Sequence, residues 1–310
     1  MLVELALGDA YGAGFEFAAP EVVTQFNDPS LGYRPHPKGT IRPGRYTDDT
    51  QMTLGLAEYM LDVKTPPSII KLARCFLWAF KRDPRHGYSE AFYGILKRVK
   101  NGGELLSVLN PRSDRSGGAM RATPCGLLPT VSEAIDAAMW QASLTHGTKD
   151  GMTAAGAVAA LVWACRNGCD PSYLPSFLND VLPGYPWETP WQLPVPNQGI
   201  PVARAALTVL SCGGTMKEML QQSVAFTGDV DTVAAVVMAA ASVHPAAIND
   251  LPDELVSKLE GGQYGMPYLR DLDEKLMLAF PVMPPQEEEE DVEVCDDSVE
   301  EEFEDFFGLN

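Results

Sequence analysis

Apolar residues recur at spacings of three and four along most of this 310-residue chain. That spacing places apolar side chains on one face of an α-helix, and no segment shows the sustained two-residue alternation of a half-buried strand. Helices are therefore predicted at 50–62, 66–81, 89–100, 131–145, 151–167, 202–210, 216–226 and 231–243.

Alanine and glycine are unusually frequent in two of these helices, 151–167 and 231–243. Small side chains let helix axes approach closely, and a hydrophobic content of 45% is enough to form a substantial core. The sequence therefore predicts an all-α fold, a compact single-domain multi-helix bundle. Connections rich in proline and glycine interrupt it at 27–45, 110–116 and 183–201, and loops of this length in a compact domain are often functional.

The net charge of −19 is distributed unevenly. Thirteen acidic residues and no basic ones lie between Glu287 and Asp305, which leaves 29 acidic against 23 basic residues elsewhere. Such a run cannot bury enough apolar surface to fold, so we expect a domain at 1–282 and an acidic disordered tail at 283–310. The remainder shows no basic stripe of the kind that binds phosphate backbones, which argues against direct binding to nucleic acid.

The six cysteines form no Cys-x-x-Cys pair and lie mostly in apolar stretches, a distribution typical of reduced thiols. The first residues lack the basic region of a signal peptide. The longer uncharged apolar runs, such as 233–243, are too short to cross a bilayer. We therefore expect a cytoplasmic protein without a membrane partner, and we expect a monomer.

Two clusters of acidic and threonine residues each lie at the start of a predicted helix: YTDDTQMT at 46–53 and TGDVDT at 227–232. Helix capping uses one or two such residues, whereas each cluster has two carboxylates that must be buried, at a cost of several kcal/mol if they are unpaired. From spacing alone, a shared metal site and two independent caps both remain open. Oxygen ligands without a histidine or cysteine cluster favour Mg²⁺, Mn²⁺ or Ca²⁺ over zinc.

The two clusters resemble the metal motifs of the ADP-ribosylglycohydrolase family. Further segments are similar to motifs of that family and follow in the same order: LGDAYG at 7–12 with Glu16 behind it, GGAMRATP at 117–124 and SLTH at 143–146. These segments extend over about three quarters of the chain. The resemblance implies an all-α fold with a central cleft that holds two divalent metal ions, Mg²⁺ or Mn²⁺.

The resemblance also implies roles for individual residues. The implied metal ligands are Thr47, Asp48, Asp49, Asp229, Asp231 and Thr232. The implied substrate-binding residues are Gly117, Gly118, Met120, Arg121 and His146. The candidates for guiding protons are Glu16, outside the metal motifs, and Asp49 and Asp231 within them.

These residue types suit hydrolysis of a glycosidic bond at C1 of ribose. Two metal ions can orient the 2′ and 3′ hydroxyls and a water molecule, while a nearby carboxylate transfers the proton. We therefore expect an enzyme that releases ADP-ribose from a modified protein or small molecule, with arginine the commonest acceptor among similar proteins. Its partners would be ADP-ribose and the ADP-ribosylated target.

Two other functions remain open. One is a non-catalytic member of the family that binds ADP-ribose or has a structural, crystallin-like role. The other is hydrolysis of a different bond, such as a phosphoester. Phosphoesterases with two metal ions generally add histidine ligands, and this chain has only four histidines, none of them beside an acidic cluster.

Overall fold

The computed structural model of the protein describes residues 1–62 and 67–282, and the described residues form helices and loops without a β-strand. The α-helices are α1 (Leu2–Gly12), α2 (Pro20–Phe26), α3 (Asp48–Asp62), α4 (Ile69–Arg82), α5 (Glu90–Arg98), α6 (Gly102–Val108), α7 (Val131–Ser143), α8 (Lys149–Arg166), α9 (Leu174–Val181), α10 (Gly199–Cys212), α11 (Met216–Ala225), α12 (Val230–Ser242), α13 (Asp253–Ser257) and α14 (Met266–Ala279). Short 3₁₀ turns lie at Pro29–Leu31, Ser116–Gly118, Thr123–Leu127 and Pro171–Tyr173.

Helix α12 lies at the centre of the bundle. Every residue from Val230 to Ala241 is buried, and α1, α8, α10 and α11 pack around it. A helix that is apolar on all sides must be covered on all sides, and the sequence of α12 after its first turn contains only alanine, valine, methionine and threonine before Ser242. The core therefore forms around this helix, and the first turn of α12 brings its carboxylates into the interior.

Two glycines let α1 approach α12 closely. A Cβ atom at Gly8 would lie 2.4 Å from the carbonyl oxygen of Ala234, and one at Gly12 would lie 2.4 Å from the Cα atom of Asp231. Both distances are shorter than any real Cβ contact, so larger residues would force the helices apart. Asp9, between these glycines in the chain, is fully buried as a consequence.

The eight helices predicted from apolar spacing are all present, with ends that differ by a few residues. Pro66, the predicted start of the second of them, lies outside the described residues. Six helices were not predicted: α1, α2, α6, α9, α13 and α14. Four of them have eight residues or fewer, too short to show a clear period, and α1 is apolar on nearly every side.

The predicted acidic tail at 283–310 lies outside the described residues. The described chain ends just after α14, at Val282. None of the described helices combines the length and the apolar character needed to cross a bilayer.

Candidate metal-binding cleft

A cavity of about 490 Å³ opens where the starts of α3 and α12 meet. We call it the cleft. Five carboxylates line it: Glu16, Asp48, Asp49, Asp229 and Asp231. Part of the remaining lining is apolar and comes from α5 and the end of α6, including Phe92, Ile95 and Val108. Another part, which we call the polar flank, is formed by Ser116, Gly117, His146 and Asn197.

The first acidic cluster is held in place by Asp9 of α1. One oxygen of this carboxylate, Oδ2, accepts hydrogen bonds from the Thr47 amide (2.9 Å), the Thr50 amide (3.0 Å) and the Thr50 hydroxyl (2.6 Å). These amides belong to the first turn of α3, where backbone N–H groups lack partners within the helix. Asp9 thus caps α3 from another helix, and Asp48 and Asp49 are not needed as caps.

The second acidic cluster is held by the backbone of the 183–201 connection. Val195 donates an amide hydrogen bond to the Thr227 carbonyl (2.9 Å) and accepts one from the Asp229 amide (2.8 Å). Gly228, between them, has φ +90°, and a Cβ atom there would lie 2.0 Å from the Val195 carbonyl oxygen. The turn that precedes α12 therefore needs glycine, and it directs Asp229 and Asp231 towards the first cluster.

The two clusters form one buried group of carboxylates. Single oxygens of Asp9, Asp49 and Asp231 lie within 4.8 Å of one another, and all five aspartates of the group are at most 9% exposed. Within residues 1–62 and 67–282, no lysine, arginine or histidine forms an ion pair with any of them. In the part of the chain that the structure describes, Oδ1 of Asp49 and Oδ2 of Asp229 have no hydrogen-bond partner.

Burial and repulsion between neighbouring charges raise the pKa values of these carboxyl groups. Burial raises the pKa of Asp9 and the pKa of Asp229 to about 6. The pKa of Asp48 and that of Asp49 rise well above the usual value because of burial and then the charge of Asp9. For Asp231 the pKa rises through burial and then the charge of Glu16. So much buried negative charge is costly without a cation.

This arrangement fits divalent cations with oxygen ligands. Mg²⁺ and Mn²⁺ prefer carboxylate and hydroxyl oxygens, and the unpartnered oxygens of Asp49 and Asp229 face the same buried group. Asp9 belongs to the close trio, but its Oδ2 already accepts three hydrogen bonds. We therefore regard Asp9 as a support for the site, with ligand atoms supplied by the other residues.

Comparison with known proteins defines the family. The ADP-ribosylglycohydrolase family model matches residues 1–284. The chain belongs to the ADP-ribosylglycohydrolase family. An uncharacterized protein of Archaeoglobus fulgidus is 29% identical over 130 residues, an alignment that covers 41% of this chain and only 41% of that protein. A solved structure titled as an ADP-ribosylglycohydrolase-related protein complex shares the fold, with a TM-score of 0.69 and 22% identity over 90% of this chain and 95% of that one.

In this family member, most of the site residues predicted from the family motifs line the cleft. They are Glu16, Asp48, Asp49, Gly117, Met120, Arg121, His146, Asp229, Asp231 and Thr232. Thr47 and Gly118 do not line it. The Thr47 hydroxyl donates to Asp49 (3.1 Å) and accepts from its amide (3.2 Å), and Gly118 lies beneath the imidazole of His146.

Arg121 and His146 are linked through Thr145. Arg121 is buried, and its Nε and Nη2 atoms donate to Gln141 (2.7 Å) and Thr145 (2.8 Å). Burial, and then the Arg121 charge, lower the pKa of His146 to about 3, so the imidazole is neutral. The Thr145 hydroxyl, which accepts from Arg121, can donate its own proton to His146 Nδ1 at 2.7 Å. In that arrangement the ring proton is on Nε2, beside Gly117.

Reasoning from the sequence missed several residues of the site, above all Asp9. The signal was present, since Asp9 is an acidic residue flanked by glycine and alanine in a helix whose other charged residue is Glu4, in its first turn. Asn197 and the apolar residues of α5 were also missed. Their place in the cleft depends on how distant helices pack, which no local pattern reveals.

Proposed function

We propose that this family member is a metal-dependent hydrolase that cleaves the glycosidic bond between ADP-ribose and a modified acceptor. The observation that carries the proposal is the buried group of five aspartates at the cleft, none of which forms an ion pair within the described residues. A structural protein gains nothing from such a costly arrangement. A catalyst that binds cations there gains a fixed, water-poor site for charge development.

The proposed ion-binding residues are the six implied by the family motifs: Thr47, Asp48, Asp49, Asp229, Asp231 and Thr232. When bound there, two Mg²⁺ or Mn²⁺ ions would orient the vicinal ribose hydroxyls and make a nearby water more acidic. The chain's own residues set the geometry. Asp9 fixes the first turn of α3, and the Thr232 hydroxyl donates to Asp229 Oδ1 at 2.9 Å, which holds the second cluster.

Glu16 is the best candidate for transferring a proton. Its side chain is 25% exposed and lines the cleft, whereas Asp49 and Asp231 are almost fully buried and are needed to hold cations. The amide of the next residue, Phe17, donates to the Gly228 carbonyl at 2.9 Å. This bond ties the Glu16 segment to the second acidic cluster. A carboxylate in this place can take a proton from water as the water attacks C1.

The polar flank suits the diphosphate of ADP-ribose. Glycine at 117 lets a ligand approach the backbone, and the neutral His146 has an Nε2–H that can donate to an oxygen. The acceptor is less constrained. Arginine remains our first choice from the family. Within the described residues, however, the carboxylates that line the cleft are Glu16 and aspartates of the buried group, so none is left to pair with an arginine acceptor. A serine acceptor therefore belongs in the same assay.

The test is to incubate the full-length protein with ADP-ribosylarginine and ADP-ribosylserine peptides and to measure free ADP-ribose. Release with Mg²⁺ or Mn²⁺, and its loss with chelator, is the expected result. Asp49→Asn should abolish release, because a ligand is lost, and Glu16→Gln should reduce it by about 10²–10⁴-fold. The matched control is Glu90→Gln, an exposed residue outside the cleft, which should retain full activity.

Tight binding of ADP-ribose without release from either peptide would favour the non-catalytic alternative. Release that persists in chelator would contradict the role of metal ions. Full activity of Asp49→Asn would contradict the proposed ligand set.

A further inference from the structure

Glu16 makes one side-chain hydrogen bond within the described residues, and it is to a histidine. Glu16 Oε2 lies 2.7 Å from Nε2 of His36, which is only 6% exposed. His36 belongs to the 27–45 connection, twenty residues further along the chain. The other oxygen, Oε1, has no protein partner among the described residues. The contact thus fixes one oxygen of Glu16 and leaves the other free.

The position of the His36 proton follows from the neighbouring backbone. The Lys38 amide donates to His36 Nδ1 at 3.0 Å. A backbone amide can only donate, so Nδ1 is the acceptor, and the proton of a neutral ring must be on Nε2. That proton points at Glu16. The imidazole is therefore a donor to the carboxylate, and its tautomer is set by the loop itself.

The loop also fixes the place of the ring. The His36 amide donates to the Ile41 carbonyl (3.3 Å), and the Gly39 amide donates to the His36 carbonyl (2.7 Å). Gly39 has φ +68°, a conformation that favours glycine. Just before the turn, the guanidinium of Arg34 lies 3.9 Å from the centre of the Phe26 ring. Residues 36–41 thus form a turn that is closed by backbone hydrogen bonds and preceded by the contact between Arg34 and Phe26.

The charge around Glu16 explains why a donor is needed. Its nearest charged neighbours in the cleft are carboxylates, and the negative charge of Glu16 contributes to the raised pKa of Asp231. Repulsion from that group favours rotamers that turn the Glu16 side chain out towards solvent. A hydrogen bond to a charged carboxylate is among the stronger hydrogen bonds in proteins, and the bond from His36 opposes this rotation.

We propose that His36 is a positioning residue that holds Glu16 at the cleft, with Oε1 free for the reacting water. The inference rests on the proposed function for its catalytic consequence, though the hydrogen bond itself does not. It also assigns a role to part of the 27–45 connection, one of the long connections that the sequence analysis marked as often functional.

The kinetic test compares His36→Ala, His36→Gln and Lys38→Ala in the full-length, metal-loaded protein. The Gln amide can place an N–H near the position of Nε2, so His36→Gln should recover most of the activity. His36→Ala should lower kcat by about 10–100-fold, part of the contribution of a general base, with KM changed less than about twofold. The matched control, Lys38→Ala, removes an exposed side chain but keeps the amide that bonds His36, so it should match the wild type.

A double-mutant cycle separates positioning from a general structural role. If His36 acts through Glu16, His36→Ala causes no further loss in a Glu16→Ala background. An equal loss in both backgrounds would overturn the proposal, as would a loss in Lys38→Ala as large as that in His36→Ala.

Nitrogen NMR of the histidine rings tests the contact without activity. We expect His36 to be protonated at Nε2 and its signals to move in Glu16→Ala. A ring protonated only at Nδ1, or signals that Glu16→Ala leaves unchanged, would overturn the proposal even if no tested peptide is cleaved. Absence of cleavage by the wild type would instead count against the proposed function, so the two failures are distinguishable.

Discussion

The close approach of α1 and α12 predicts opposite effects for the same substitution at two glycines. Gly8 lies within α1, where a Cβ atom would be 2.4 Å from the carbonyl oxygen of Ala234 and 2.6 Å from its carbonyl carbon. Gly94 lies within the exposed helix α5, and a Cβ atom there would have nothing within 4 Å. Alanine should therefore destabilise the protein at Gly8 and stabilise it at Gly94.

The magnitudes follow from two opposing effects. Replacing glycine by alanine inside a helix stabilises it by about 0.8–1 kcal/mol, and this gain applies at both positions. At Gly8, normal van der Waals contact begins near 3.4 Å, so the two helices must separate by about 1 Å. The atoms that obstruct the new methyl belong to backbone and cannot rotate away. Overpacking costs about 1–3 kcal/mol, occasionally more. Because the obstructing atoms are backbone, we expect a cost of about 3 kcal/mol, which leaves a net loss of about 2 kcal/mol.

Urea unfolding and thermal unfolding measure both variants, with Mg²⁺ present and absent. A loss of 2 kcal/mol corresponds to a fall in Tm of about 4–8 °C in domains of 150–250 residues. Gly8→Ala should also weaken binding of Mg²⁺, because α1 carries Asp9, which caps α3. If Gly8→Ala is as stable as the wild type and Gly94→Ala shows its expected gain, the reasoning about the α1–α12 contact is refuted.

Four further predictions concern the cleft and the end of the chain. Asp49→Asn should stabilise the metal-free protein at pH 7–8, because a buried charge is removed, and should abolish stabilisation by Mg²⁺; a retained Mg²⁺ response in thermal unfolding would contradict this. Asp9 and Asp229 have folded pKa values of about 6, above the unfolded value near 3.9, so the stability they contribute is complete below about pH 4 and is lost as the pH rises through 6. Chelator-treated protein should therefore lose stability between pH 4 and 7, more than an Asp229→Asn control does. The pKa of His146 is about 3, so its NMR signals should not move between pH 5 and 8, and a titration in that range would contradict the Arg121–Thr145 arrangement. Deleting 283–310 should leave unfolding and hydrolysis unchanged if the domain ends at 282, and a loss of either would contradict that boundary.

Much of the fold was predictable because helix periodicity is a local signal. The pattern in α4, where apolar residues lie on one face and lysine and arginine on the other, is read directly from the sequence. Helix α1 gave no such signal, since ten of its eleven residues are buried and an all-round apolar segment has no period. Short helices such as α13 are stabilised by tertiary packing more than by helix propensity, so they cannot be predicted from their sequences alone.

The candidate site was likewise predictable from the sequence only in part. The acidic clusters were recognisable because two carboxylates in one first helical turn are unusual whatever surrounds them. The roles of Asp9 and His36 were not, because each acts on a segment 20–40 residues away, and only the packing of α1 and the turn at 36–41 brings the partners together. Spacing alone also left capping and metal binding open; the hydrogen bonds of Asp9 account for the capping of α3 and free Asp48 and Asp49 for another use.

The buried carboxylates of the cleft lower the stability of the metal-free protein, although the proposed activity requires them. The carboxylates of Asp48, Asp49 and Asp231 are buried, have pKa values raised by burial and by neighbouring carboxylates, and lack a cationic side-chain partner within the described residues. A neutral residue in place of any one of these three aspartates should make the metal-free fold more stable. In the native protein, the surrounding core offsets the free-energy cost of burying the three carboxylates. Residues that break the rule against burying like charges are expected at functional sites.

A series of single Asp→Asn variants therefore distinguishes the two kinds of aspartate: those that hold cations should gain metal-free stability and lose Mg²⁺ binding. Asp9→Asn should instead retain Mg²⁺ binding at reduced affinity, because Asp9 is outside the proposed ligand set and organises the first turn of α3.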